Sequence, residues 1–276
     1  MLFPYVIHYS PLQNRRKSIE SFANESGLKF SFVTEDSVDP KSVDNCNSQF
    51  SHQALSKQVS FIYDLLHLHY LWLNHSSRGI VGIDNWKSIY INELASDYSL
   101  FNFYYSQALQ SFSIKNITLS FQHFNALRSF LEIASFCDIC LIIEDDSILI
   151  SHQNLNNLCD DLPTLLPIHS AFFLDVSNSL GLSSLYSYKT AYVNSKPLFR
   201  VINGQTRCAS AYIVNYRTAL LLYSTKFLPF LPIDWFYSFL LRFNNIPTYW
   251  TNDSLFIQGS ENGCFSSNSL NRASNV

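Results

Sequence analysis

The sequence predicts an α/β fold, in which helices cover both faces of a parallel or mixed sheet. The main observation is that short apolar runs typical of strands alternate with longer segments of helical spacing. The chain has 276 residues, 47% of them hydrophobic, which is enough for one large domain with a sizeable core. Three carboxylates also follow one predicted strand directly, and ligands gather at the carboxyl ends of strands in such sheets.

The N-terminal part of the chain predicts a strand, a helix and a second strand. The run Tyr-Val-Ile-His-Tyr at 5–9 is rich in β-forming residues, and Pro11 ends it. Asn14 can cap the following helix, which continues to about Ser26. Alternating hydrophobicity at 28–33 then predicts the second strand.

Residues 40–116 give mixed signals, and we assign them to a variable insertion in the domain. Within this segment, the leucines at 61–73 show helical spacing. The domain is expected to span residues 1–268 as a single unit. The polar residues 269–276 are expected to form a loose C-terminal tail.

The second half of the chain again predicts alternating helices and strands. In order, these elements are a helix at 119–134, a strand at 138–144, a helix at 154–166, a strand at 171–176, a strand at 210–214, a helix that ends near 225 and a helix at 233–243. The strand at 138–144 is a short apolar run, which is typical of a strand buried on both faces. Residues 177–201 are rich in Ser and Tyr and are expected to form a loop region.

Glu144, Asp145 and Asp146 follow the apolar run Cys-Leu-Ile-Ile. Because side chains alternate along an extended backbone, Glu144 and Asp146 are expected on one side and Asp145 on the other. Two carboxylates on one side repel each other unless a cation lies between them. Mg²⁺ or Mn²⁺ prefers such oxygen ligands and keeps water and substrate phosphates in its other positions. The pattern predicts a site for a metal-bridged nucleotide diphosphate, and a solvated acidic turn is the alternative.

Composition argues against several other classes of protein. The formal net charge of −3 provides no basic field, so a nucleic-acid partner is not expected. The chain has only seven glycines and lacks a phosphate-binding loop of the Walker type. Cys137 and Cys140 have the C-x-x-C spacing, but no second pair completes a zinc site, and we expect reduced thiols.

The sequence predicts a cytoplasmic protein. Its N-terminus lacks the basic region and long apolar run of a secretory signal. The most apolar later window, 226–243, is interrupted by Pro229, Pro232 and Asp234 and is therefore not expected to span a bilayer. Peripheral association with the inner face of a membrane is left open.

Six segments occur in the order known from one enzyme family. They are VIHYSPLQNRR at 6–16, ITLSFQHFNAL at 117–127, CLIIEDDSILI at 140–150, TRCASAYIV at 206–214, PIDW at 232–235 and QGSENG at 258–263. Together they resemble glycosyltransferase family 25, which contains bacterial lipooligosaccharide galactosyltransferases and collagen galactosyltransferases. The chain departs from the family pattern at His8, where the family usually has Asn, and matches little of it over 40–116.

The resemblance implies a fold of the GT-A type, that is, a Rossmann-type mixed sheet flanked by helices. It also implies transfer of a sugar from a nucleotide donor, commonly UDP-galactose or UDP-glucose, with inversion at the anomeric carbon. The acceptor would be a surface glycan or a lipid-linked glycan of the lipopolysaccharide type.

The resemblance also suggests roles for individual residues. Glu144 and Asp146 would hold Mn²⁺ or Mg²⁺, which neutralises the leaving diphosphate. An inverting displacement needs a base for the acceptor hydroxyl, and Asp234 is the first candidate and Glu261 the second. Asp234 also suits the start of a helix, where a carboxylate is a favourable cap, so that role stays open.

Further residues are candidates for binding the substrate. They are Asp145, Arg16, His123, Arg207 and Gln258. Asp145 would contact the donor ribose or sugar, or else orient the loop. One of Arg15 and Arg16, or else Arg207, would pair with diphosphate oxygens, and a solvated helix start is the alternative for Arg15. A lone His such as His123 also commonly has a structural role.

Two other functions remain open on the sequence. The first is a non-catalytic relative that binds a sugar nucleotide or a glycan. The second is a metal-dependent phosphotransferase or nuclease that uses the same carboxylates.

Overall fold

The computed structural model describes residues 1–49 and 114–265, except for gaps at 167, 179–185, 194–195, 202–203, 205, 207, 226–228, 230–231 and 261–262. The predicted helix at 61–73, most of the predicted insertion, the C-terminal tail, Arg207 and Glu261 therefore lie outside the described residues.

Helices and strands alternate along much of the described chain. The helices are α1 (Gln13–Ser26), α2 (Pro40–Gln49), α3 (Ile114–Ile133), α4 (His152–Leu165), α5 (Tyr216–Tyr223) and α6 (Ile233–Phe243), with a short 3₁₀ turn at Glu35–Ser37. The strands are β1 (Leu2–His8), β2 (Ser31–Thr34), β3 (Ile139–Glu144), β4 (Ser147–Leu149), β5 (Phe173–Asp175), β6 (Ser177–Asn178), β7 (Tyr186–Val193), β8 (Lys196–Val201), β9 (Ala211–Asn215), β10 (Thr248–Thr251) and β11 (Phe256–Gln258).

Local side-chain chemistry explains several helix boundaries. The Ser151 hydroxyl accepts a hydrogen bond from Asn154 N at the start of α4, and the Asn215 side chain does the same for Thr218 N at the start of α5. Helix α1 ends at Gly27, whose φ of 69° lies in the left-handed region that glycine adopts without strain.

Within the described residues, eight strands form one mixed sheet in the order β2-β1-β3-β9-β5-β10-β8-β7. Strand β1 is parallel to both β2 and β3, whereas β9 runs antiparallel between β3 and β5. The carboxyl ends of β1, β3 and β5 therefore lie at the same edge of the sheet as the start of β9. A smaller sheet has the order β4-β11-β6. It lies at this edge, because β4 follows β3 and β6 follows β5 in the chain after only one or two residues.

Strand β3 lies in the interior of the large sheet, and its two faces contribute to two apolar cores. Ile142 packs into the core that contains residues of α3, α5 and α6. Leu141 packs into the core that contains residues of α1 and α4. Burying each such aliphatic side chain contributes roughly 1.5–3 kcal/mol. The prediction of a mixed sheet flanked by helices is therefore confirmed.

The assignment of 177–201 to a loop region was wrong for most of the residues that the structure describes in this segment. Strands β7 and β8 form an antiparallel hairpin there, with register shifts between Tyr186 and Tyr188 and between Lys189 and Ala191. Tyr, Thr and Val favour strands, but the serines of the segment obscured that preference in the sequence. The sequence also did not indicate α2, which lies in the predicted insertion and contributes Val43 and Cys46 to a core. No helix in the described ranges combines the length and the apolar character needed to cross a bilayer.

Candidate active site

The three carboxylates lie in a tight turn between β3 and β4, and neighbouring strands hold the backbone of this turn. Asp145 N donates to Ile7 O at 2.9 Å, and Glu144 N donates to Ser210 O at 2.8 Å. The Ser147 hydroxyl also donates to Ser210 O at 2.8 Å. These hydrogen bonds connect the turn to β1 on one side and to the residues before β9 on the other. The position of the turn relative to the sheet is therefore fixed.

The segment before β9 carries a backbone strain. Ala209 is fully buried and has a φ of 53°, which is uncommon for a residue with a side chain. Such strain costs on the order of 1–3 kcal/mol and tends to cluster at functional sites. Here it lies beside Ser210, whose carbonyl oxygen receives the two hydrogen bonds from the turn.

Asp145 points into the protein and is surrounded by donors. Its Oδ2 accepts from His8 Nδ1 at 2.9 Å and from Tyr9 N at 3.0 Å. Its Oδ1 accepts from Arg15 Nη1 at 2.7 Å. Of the two roles predicted for Asp145, these contacts favour the one in which it orients the loop. A contact with the donor stays a prediction.

Asp146 is held by the turn that follows β11. Its Oδ2 accepts from the Ser260 hydroxyl at 2.6 Å and, more weakly, from Gln258 Nε2 at 3.4 Å. Gly259 N donates to the Asp146 carbonyl at 2.7 Å. A Cβ at Gly259 would lie 2.9 Å from that carbonyl oxygen and 2.4 Å from Phe265, so only glycine permits this approach. The other carboxylate oxygen of Asp146, Oδ1, is buried without a hydrogen-bond partner among the described residues.

Glu144 occupies a different environment from Asp145. Its side chain is 18% exposed, and its Oε1 lies 3.5 Å from Nε2 of the buried His123. Burial raises the pKa of Glu144 well above the ordinary carboxyl value, and the charges of Asp146, Asp145 and Asp234 raise it further, in that order. Burial also lowers the pKa of His123 to about 3, so the imidazole beside Glu144 is neutral near pH 7.

Asp234 lies in the first turn of α6 and is half-buried. Its carbonyl oxygen accepts from the Thr206 hydroxyl at 3.0 Å and from the Ser238 hydroxyl at 2.8 Å. Its charge is close enough to raise the pKa of Glu144. The fold therefore brings the acidic turn and Asp234 into one electrostatic environment.

The two neighbouring arginines of α1 have different surroundings. Arg15 is buried, pairs with Asp145 and lies 5.4 Å from the centre of the Phe265 ring. Arg16 is more exposed, pairs with Glu20 at 2.8 Å and lies over the Phe32 ring. The arginine that contacts the acidic turn is thus Arg15, and the role of Arg16 in binding phosphate stays a prediction.

Sequence reasoning assigned no role to several residues that support the turn. They are His8, Ser210, Tyr212, Tyr237 and Ser260. The available signal was the departure from the family pattern at His8, because an imidazole at the end of β1 can donate to Asp145.

The residues present fit a divalent cation held by only two protein carboxylates. In the part of the chain that the structure describes, no group of three or more His, Cys, Asp or Glu side chains is arranged to enclose a metal. A cation between Glu144 and Asp146 would relieve their repulsion and give the buried Asp146 Oδ1 a partner. Mg²⁺ and Mn²⁺ commonly bind in this way, with water and substrate phosphates as the remaining ligands.

Comparisons with known proteins leave the family as a prediction. A scan against models of protein families finds none that matches the chain, and a search of curated proteins finds no match either. The resemblance to glycosyltransferase family 25 therefore depends on the six segments quoted above.

Proposed function

We propose that the chain is a metal-dependent glycosyltransferase with a GT-A-like fold. It moves a hexose, galactose or glucose, from a UDP-sugar donor to a surface-glycan or lipopolysaccharide-type acceptor, with inversion. The observation that carries the proposal is the acidic turn at the carboxyl end of β3, with Asp234 close enough to influence Glu144. Ligands of α/β sheets bind at this kind of edge.

In this mechanism Glu144 and Asp146 would hold Mn²⁺ or Mg²⁺, which would supply charge neutralisation for the departing diphosphate. Ser260 and Gln258 hold Oδ2 of Asp146, and its buried Oδ1, which has no hydrogen-bond partner among the described residues, would serve as the ligand. Asp145 anchors the turn to His8 and Arg15, and its contact with the donor ribose or sugar stays a prediction.

Asp234 takes the proton of the acceptor hydroxyl while that oxygen attacks the anomeric carbon. Asp234 lies in the first turn of α6, where a carboxylate interacts favourably with the positive end of the helix dipole. The hydroxyls of Thr206 and Ser238 bind the Asp234 carbonyl and thereby hold this turn in place.

The first experiment is a thermal-shift screen of UDP- and GDP-sugars in the presence of Mn²⁺. A true donor should stabilise the folded chain and raise its melting temperature. Once the donor concentration exceeds the dissociation constant, this stabilisation grows with the logarithm of the concentration. The donor identified in this way is then assayed for hydrolysis and transfer. We expect Asp146→Asn to lose at least about 100-fold in turnover, since it removes a charged ligand of the cation.

Asp160→Asn provides the matched control, since Asp160 is an exposed carboxylate on α4 and should leave turnover unchanged. The proposal fails if no sugar nucleotide binds or reacts. Binding without turnover would instead assign the chain to the non-catalytic, sugar-nucleotide-binding class.

A further inference from the structure

A chain of buried polar groups extends from Glu144 into the apolar core. His123 Nε2 lies 3.5 Å from Glu144 Oε1, and His123 Nδ1 lies 2.8 Å from the Tyr212 hydroxyl. Tyr212 in turn donates to the Tyr237 hydroxyl at 3.1 Å. The side chains of His123, Tyr212 and Tyr237 are fully buried. We call these three residues the His-Tyr-Tyr relay.

Ring packing fixes the imidazole in its plane. His123 stacks on Tyr212 with an interplanar angle of 15°, and its edge meets Tyr237 at 90°. Tyr212 also stacks on Phe173, with ring centres 4.9 Å apart. Three elements, α3, β9 and α6, therefore contribute one side chain each to an arrangement that leaves the imidazole little freedom to rotate.

The hydrogen-bond directions show how the relay meets Glu144. Because Tyr212 donates to Tyr237, its oxygen accepts from His123 Nδ1, and Nε2 then presents a lone pair to Glu144. Hydroxyl hydrogens rotate, so the relay can also run in reverse, with Nε2–H donating to Glu144. Only this second direction suits an ionised Glu144, because a carboxylate accepts hydrogen bonds and a lone pair on Nε2 would repel it. At 3.5 Å from Glu144 Oε1, His123 Nε2 makes no hydrogen bond among the described residues, and a proton on Nε2 would give each of the two atoms a partner.

The relay also links Glu144 to the helix that carries Asp234. Tyr237 follows Asp234 by three residues on α6, and residues at this spacing lie on one face of a helix. The bond from Tyr212 to Tyr237 therefore helps to hold α6, and with it Asp234, against the strand next to β3. Apolar side chains could fill this part of the core without any such connection. Buried hydroxyl and imidazole groups lower the stability of the fold unless they are hydrogen-bonded.

We propose that His123, held by Tyr212 and Tyr237, is a positioning residue that fixes Glu144 in the orientation in which it binds the divalent cation. This inference rests on the proposed function, because it takes Glu144 as a cation ligand. His123 then supports the metal site from behind and does not contact the donor. Outer partners of metal ligands commonly change metal affinity by 10–100-fold when they are removed.

The test is a measurement of equilibrium Mn²⁺ binding to the full chain, from which metal has first been removed with a chelator. The electron paramagnetic resonance signal reports the concentration of free Mn²⁺. We expect Tyr212→Phe to raise the Mn²⁺ dissociation constant about 10-fold, because it removes the oxygen that orients His123. Tyr237→Phe should have a smaller effect of the same sign, since Tyr212 still contacts the imidazole. Each variant keeps its aromatic ring, and near-ultraviolet circular dichroism verifies the native packing.

Tyr216→Phe is the matched control, because Tyr216 is a partly buried tyrosine that packs against Phe130 and Phe136, away from the relay. It should bind Mn²⁺ as the unchanged chain does. The inference is overturned if Tyr212→Phe keeps the original Mn²⁺ affinity while Glu144→Gln loses it. If the unchanged chain itself does not bind Mn²⁺, the proposed metal dependence and the positioning role both fail. If it binds Mn²⁺ and only the effect of Tyr212→Phe is missing, the positioning role alone fails.

Discussion

Asp145 and Glu144 are neighbours in the chain, but their surroundings are opposite in character. Asp145 is surrounded by donors, with His8, Tyr9 N and Arg15 all bonded to its two oxygens. Glu144 is surrounded by a neutral imidazole and by carboxylates whose charges make its ionisation less favourable. The fold thus supplies hydrogen-bond donors to Asp145, whereas burial and like charges oppose the ionisation of Glu144.

The difference separates residues that build the site from residues that act in it. Both oxygens of Asp145 already accept hydrogen bonds, from His8 and Tyr9 at one oxygen and from Arg15 at the other. Glu144 and Asp146 repel each other, and Oδ1 of Asp146 has no hydrogen-bond partner in the described part of the chain, so a cation between the two carboxylates would stabilise both. Natural proteins accept such local destabilisation where function requires it.

The largest effect on stability is expected from Asp145→Ala, which removes the partner of two buried side chains. We expect the free energy of unfolding to fall by about 3 kcal/mol, the range seen when one member of a buried ion pair is removed. Urea denaturation followed by circular dichroism measures it. Asp160→Ala, at an exposed site, should change the free energy of unfolding by less than about 0.5 kcal/mol. A loss at Asp145 no larger than that would show that the turn is held without it.

The opposite sign is expected for Glu144→Gln in metal-free protein at pH 7. Glutamine keeps the shape of the side chain but removes the charge that burial and Asp146 oppose, so stability should rise by about 1 kcal/mol. Since the folded pKa of Glu144 is raised, the protonated group contributes stability that is fully present below the ordinary carboxyl pKa. That contribution is lost as the pH rises through the folded pKa.

The gain from Glu144→Gln should therefore grow with pH above the ordinary carboxyl range of about 4.3. Urea titrations at several pH values between 4 and 8 measure it. Saturating Mn²⁺ should reverse the order of stability, because the unchanged chain binds the ion and the variant lacks a ligand. A variant that is less stable than the unchanged chain at every pH, with no metal present, would contradict the contrast between the two carboxylates.

Local patterns predicted the part of the site that is contiguous in the chain. The apolar run of β3 and the three charges after it stand next to each other, so the position of the acidic turn at the end of this strand follows from the sequence pattern. That Glu144 and Asp146 share one side stays a prediction, because β3 ends at Glu144 and the next two residues lie in the turn. The approach of Asp234 to Glu144 was expected from the family resemblance alone, because no local pattern relates a helix start to a distant strand end.

The partners of the turn could not be predicted from the sequence. His8 and Asp145 are 137 residues apart, and they meet because β1 pairs with β3 in the register that sets Ile7 beside Glu144. Alternation of strands and helices does not determine strand order. The turn after β11 was not indicated either, because β11 has three residues, too few to show a period of two.

The smallest effect on the free energy of unfolding is expected from Arg16→Ala. Its comparison with Arg15→Ala shows how much the surroundings of Asp145 contribute to stability. Arg16→Ala removes an exposed i,i+4 pair with Glu20, worth about 0.3–0.5 kcal/mol. Arg15→Ala should cost several times as much, because Arg15 is buried and bonded to Asp145. Parallel urea denaturation of the two variants measures this ratio. Equal losses would mean that the bond to Asp145 contributes no more than a surface pair. A large fall in donor affinity for Arg16→Ala with little change in stability would instead assign Arg16 to the diphosphate, as the sequence predicts.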